Sequence, residues 1–272
     1  MSSIVSNTTQ ASLPAQKIWQ RRSIRFGQAL IFPFALILLW SIASASAWVD
    51  PKLLPSPAQV LRTLLETFSD AIFWQGVAAS LLRNLTGYVI GASLGIVFAL
   101  VIGSSKIANW LFAPSFHMLR QISLFAWLPI LSSFLGTGNG AKILFISLSV
   151  FYPVALHSLE GIRSISHKHR EVAAVYQFPW AYRYKKLILP GAAAQIFVGL
   201  QLGLIFAWLA TVGSEFLLAN YGVGIGNLVI RGREQFNVAL IIVGMLAIGS
   251  LGIFFNRILI TIERRVLAWQ AR

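Results

Sequence analysis

The 272-residue chain contains no cysteine. That excludes a disulfide framework, a thiol nucleophile and any metal site built on thiolates. Acidic residues are scarce: Asp50, Glu66, Asp70, Glu160, Glu171, Glu215, Glu234 and Glu263 are all there are. So thin a supply cannot build a carboxylate cluster for a hard metal without long-range convergence. Charge of either sign is sparse, 11% of the residues, against about 25% in an ordinary soluble domain. A phosphate-cradling G-x-x-x-x-G-K-S/T loop is also missing, since Gly103-Ser-Ser-Lys106 lacks that spacing. No Ser/His/acid set can be assigned, so no catalytic residues are expected and the chain does not read as an enzyme.

What the chain has in excess is apolar: 57% of residues are hydrophobic and the mean hydropathy is +0.73. A soluble protein of this length could not hide that much apolar surface, so lipid is the solvent. The net charge of +14 alone would point to nucleic acid. The basic residues cluster between apolar runs instead, the distribution of cytoplasmic loops in a membrane protein. No nucleic-acid partner is expected.

A spanning helix needs about 20 apolar residues, and its backbone must bond within itself. Six runs qualify. The first is Phe26–Val49, after a loose tail over residues 1–25. Its basic lead, apolar run and Ser44–Ala47 also mimic a signal peptide, but the long tail and long run favour a retained span. Residues 50–76 read as an outer-surface segment holding Leu54-Pro-Ser-Pro57 and short amphipathic pieces. The second span is Val77–Gly103. The third is read as one helix from Trp110 to Leu135 that contains Arg120. Ala141–Leu159, Gly191–Leu217 and Phe236–Ile260 are the fourth to sixth. A transport domain over 77–265 and a short tail over 266–272 complete the division.

With both ends inside, 15 of the 22 Lys and Arg fall on the inner side and 5 outside, while Arg83 and Arg120 lie within spans. That bias places both termini in the cytoplasm. It also places the segment EVAAVYQFPWAYRYKKLILP, Glu171–Pro190, there. Val172, Val175, Tyr176 and Pro179 form one apolar face of a short helix. Ala173 and Ala174 keep another face narrow. Pro179 suits the first turn of a second helix, on which Trp180, Tyr184 and Leu187 share a face. Pro190 is expected to end the loop. From pattern alone, the segment could equally be a membrane-surface helix anchored on anionic lipid.

Glu171-Val-Ala173-Ala174, followed by Ile188-Leu189-Pro190, resembles the EAA loop of ABC-type importer permeases. Two departures stand out: Val172 replaces the first Ala, and Gln177 stands where the family has Gly. The likeness runs over nearly the whole chain and is nearest the nitrate, sulfonate and taurine branch. Leu54–Pro57, Leu81–Gly95, Leu119–Ile143 (with Ser123 for Pro), Phe151–Ile165 and Ala207–Gly224 carry it in order. The resemblance implies an all-α integral membrane protein of the bacterial inner membrane with six transmembrane helices. Its fold would be that of a type I ABC importer permease, with a cytoplasmic coupling helix between spans 4 and 5. It also implies a homodimer, cytoplasmic ABC ATPase subunits that use ATP, and a periplasmic substrate-binding protein. This chain itself would bind no cofactor. Glu171, Val172, Ala173, Ala174, Gln177, Ile188, Leu189 and Pro190 would carry the coupling. The cargo implied is a small anion: an aliphatic sulfonate, taurine or nitrate. The rival reading is a self-contained ion-coupled carrier or channel, which would need intramembrane acids.

Gly87, Gly91 and Gly95, and Gly199 and Gly203, recur at four-residue spacing, which lets helices pack closely in lipid. Arg120 either faces a pathway, where a cation suits an anionic cargo, or snorkels to the interface. Ser123, Trp127 and Glu215 join it as pathway or gate candidates. Glu215 is expected to pair with Arg231 or Arg233, or to brace the outer gate. Tyr221–Asn227 looks like a nucleotide fingerprint, but no strand precedes it and turn glycines are the better reading. His167 and His169, beside Lys168 and Arg170, read as a basic surface rather than a metal site.

Overall fold

The computed structural model describes residues 31–46, 50, 53–218 and 223–269. The 1–25 tail, both ends of the expected first span, Tyr221 and Gly222 of the glycine motif and residues 270–272 lie outside that set. The described residues are helical, with no strand among them. They fall into two units divided after Leu61.

The N-terminal unit holds helix α1, Ile31–Ala45. Trp40 Nε1 donates to Pro55 O at 3.0 Å. Helix α2 follows over Pro57–Ser69, the amphipathic piece expected there.

The larger unit is built on three long helices. Helix α3, Ala71–Ser104, starts where the Asp70 side chain accepts from Ile72 N. That cap sets its start six residues before the apolar run does. Helix α6 is Asn139–Arg163 and helix α9 is Leu189–Leu217. Their apolar sides form a core around Phe145, Ile146, Val150, Val154, Ala207 and Ala210, all fully buried. With lipid as the solvent, burial alone does not hold helices together, and close packing must. The two glycine stripes supply it. A Cβ on Gly91 would stand 2.3 Å from Ser147 O of α6, and one on Gly87 would strike Ile146. Gly199 and Gly203 press α9 on Val154 of α6 in the same way. Polar bonds cross from α3 to α9 as well, among them Asn84 Nδ2 to Thr211 Oγ1 at 2.9 Å and Tyr88 OH to Leu200 O at 3.0 Å.

The expected single third span is two helices. Helix α4, Lys106–Leu119, and the segment Leu124–Leu135, which ends in helix α5 (Trp127–Leu135), meet at 89°. The break falls on Arg120–Ser123, the polar interruption of the run. Pro129 sits in the first turn of α5, where a missing N–H costs no helix bond. Phe116 packs on Phe98 and Phe151 before the bend. After it, Phe125 lies against Phe145 and fills the gap left by Gly213.

Helix α7, His167–Val175, and the short helix α8, Trp180–Arg183, form the expected loop. A π-helical stretch, Tyr184–Ile188, joins α8 to α9 without interruption. Pro190 therefore does not end the loop; it lies within a helix running from Trp180 to Leu217. A proline crowds the carbonyl four residues back, and the widened π turn accommodates it. Helices α10, Ile225–Glu234, and α11, Val238–Val266, complete the chain.

Among the described residues, four helices are long and apolar enough to cross a membrane, or five if the bent pair counts as one span. The second, fourth, fifth and sixth expected spans coincide with α3, α6, α9 and α11. Lys142, at the start of the fourth expected span, is buried within α6.

Candidate functional site

Helix α7 ends in a paired backbone closure. Gln177 N–H donates to Ala174 O at 3.0 Å and Phe178 N–H to Ala173 O at 3.1 Å. This is the Schellman arrangement, and it requires a left-handed residue at Gln177. Its φ is 49°, so a glutamine holds the conformation that glycine adopts at no steric cost. Phe178 stacks on Tyr176 and meets Tyr182 edge-on. Together these rings fix the angle between α7 and α8.

The side chains divide by role. Ala173 is buried. Val175, Tyr176 and Trp180 are 79%, 70% and 72% exposed, and Val172 is about half exposed. Ala174 is exposed too. Such large apolar groups held outward on a polar loop form a ready contact surface. Glu171 is exposed and faces His167 Nδ1 at 3.0 Å, one turn earlier. His169 Nδ1 lies 2.8 Å from Ser166 Oγ. Arg170 Nη2 donates to Ile162 O and closes the end of α6. Ile188 and Leu189 lie inside the continuous helix with Pro190, not in a loop.

The pathway candidates split into two places. Arg120 sits at the bend as the C-cap of α4, exposed, with Ser123 beside it. Trp127 opens α5, and its indole Nε1 is buried without a hydrogen-bond partner. Arg120 and Gln121 border an open cavity of about 460 Å³, walled by α6 and α9.

Glu215 is elsewhere, 1% exposed at the far end of α9. Its partner is neither Arg231 nor Arg233 but Arg83 of α3, itself buried. Arg233 instead lies over the Phe216 ring. One Glu215 oxygen accepts from Arg83 and from Ser80 Oγ; the other accepts from Gly226 N at 2.7 Å. Arg83 also donates to Asn139 Oδ1 of α6 and to Val223 O. Four elements thus meet on one buried pair. The fingerprint-like glycines acquire a reason here. A Cβ on Gly224 or Gly226 would stand 2.7–2.9 Å from the Glu215 carboxylate. The sequence signal for Arg83 was a lone cation inside an apolar run, which must find an anion. Nothing local in the sequence says which one.

The family described as "Binding-protein-dependent transport system inner membrane component" matches residues 91–268. The chain is 29% identical to the putative aliphatic sulfonates transport permease protein SsuC of Bacillus subtilis, over 90% of this chain and 89% of the relative. It is 30% identical to the bicarbonate transport system permease protein CmpB of Synechococcus elongatus, over 88% and 90%. It is 28% identical to the nitrate import permease protein NrtB of Synechocystis, over 93% of each. The chain belongs to the binding-protein-dependent transport system inner membrane components, the permeases of ABC-type importers, and is a multi-pass inner-membrane protein rather than an enzyme.

Proposed function

We propose that two copies of this chain form the membrane pathway of a bacterial ABC importer for a small anion, with six spans per copy and both termini in the cytoplasm. The cargo class follows the names of its relatives, and an aliphatic sulfonate leads, with taurine and nitrate beside it. The observation that carries the reading is α7 with its flank. A short polar helix and the hydrogen-bonded turn after it leave Val172, Val175, Tyr176 and Trp180 exposed, on a chain without a phosphate loop of its own.

In this reading α7 is the coupling helix and docks in a cleft of a separate ATPase subunit, which uses the ATP. The apolar side chains fill the cleft and Glu171 sets register against a basic group. Ala173 and Ala174 allow close approach on either side, Gln177 fixes the turn, and Ile188, Leu189 and Pro190 join the handle to α9. A periplasmic binding protein delivers cargo at the outer face. ATP binding draws the two coupling helices together and opens the pathway outward; hydrolysis resets it. Arg120, Ser123 and Trp127 line the way, and Glu215 braces its outer end.

The test is association and uptake. Glu171→Lys is expected to reduce co-purification of the ATPase at least tenfold while the permease still folds. Undiminished association would remove the role of Glu171. Uptake by the chain reconstituted without any ATPase would overturn the whole reading.

A further inference from the structure

The cavity beside the bend has a composition that its position makes informative. Tyr152 sits at the middle of α6 and Leu202 at the middle of α9, so the cavity lies near mid-membrane depth of the long helices. Its volume, about 460 Å³, is in the range of small-molecule sites. Arg120 borders it, and no carboxylate lines it. Among the described residues no acid stands within ion-pairing distance of Arg120. A mid-membrane cation without a counter-ion is costly and marks a functional site by default. His157 also lines the cavity; its Nδ1 is buried without a well-formed hydrogen bond, with the Glu160 carboxylate 3.4 Å away. The rest of the wall is largely hydrocarbon, including Leu156, Leu202 and Phe206.

From these features we infer that the permease carries its own cargo subsite, suited to an amphiphilic anion. The head of an alkanesulfonate lies against Arg120, with His157 and Tyr152 as further donors. The alkyl tail lies on Leu156, Leu202 and Phe206. Nitrate and bicarbonate satisfy only the first half of such a site. Each tail methylene buried on the wall raises affinity about fourfold, whereas a wholly polar ion gains nothing from it. This rests on the proposed role of the chain as an anion pathway, and it adds that selection is not left to the binding protein alone.

The probe is hexane-1-sulfonate, titrated onto the full chain in nanodiscs of zwitterionic lipid, with nitrate and methanesulfonate alongside. Saturable binding at least tenfold tighter for hexane-1-sulfonate than for nitrate is expected. Arg120→Gln should weaken it at least tenfold, and Arg120→Lys should recover part of the loss. Phe206→Ser should lower affinity for hexane-1-sulfonate while leaving methanesulfonate unchanged, a split that a folding defect does not produce. Equal affinity for hexane-1-sulfonate and nitrate, or binding indifferent to both Arg120→Gln and Phe206→Ser, overturns the subsite. If those results came with ATP-dependent anion uptake by the whole transporter, the subsite alone would fall. ATPase-independent uptake would instead sink the functional reading, whatever the titration gave.

Discussion

Gln177 occupies a backbone position that most side chains avoid. Its φ of 49° closes α7 through two hydrogen bonds, and an L-residue there loses about 1 kcal/mol or more to Cβ crowding. Gln177→Gly should therefore stabilise the turn by about 1 kcal/mol, slowing amide exchange at residues 177 and 178 about fivefold. Exchange that is unchanged or faster would mean the glutamine side chain compensates. The sequence marked this position as a departure from the family pattern, and the structure keeps the backbone while changing the residue. Arg120 was legible as a cation out of place. Its setting at a bend was not, because Phe116 and Phe125 create it through contacts with α3, α6 and α9. The Glu215 partner was misread for a similar reason: Arg231 and Arg233 are near in sequence, whereas Arg83 is 132 residues away.

At the scale of elements, the long helices were readable because apolar length and glycine spacing are local properties. The bend between α4 and α5, and the helix that absorbs Pro190, are decisions made by neighbours. The buried pair that joins α3 to α9 also reaches Val223 and Gly226 and makes a second measurable claim. Removing one partner of such a pair typically costs about 3–5 kcal/mol, because the other charge is left buried. Arg83→Met and Glu215→Leu should each destabilise the folded chain in detergent by about that much, with the double variant recovering at least half of the summed loss. Single variants with unchanged unfolding midpoints would reduce the pair to an ornament. Gly224→Ala should behave like a weak member of the same series, since its Cβ would crowd the Glu215 carboxylate.

For the molecule as a whole, the absence of cysteine is an experimental convenience. Single cysteines at Val175 and Arg233, each exposed, report topology without a background signal. Val175→Cys should react with an impermeant maleimide only from the cytoplasmic side, and Arg233→Cys only from the outside. Labelling of Val175→Cys from outside would reverse the orientation drawn from the basic residues. The helix that starts at Trp180 and runs for 38 residues to Leu217 then has a mechanical meaning. At 1.5 Å per residue it is a strut of roughly 55 Å, unbroken in its helical run, with the π turn and Pro190 both close to its start. Beyond that turn the strut is regular helix as far as Leu217, so a tug that passes Pro190 emerges as tilt or twist where Glu215 is clasped, at the other end of the same span.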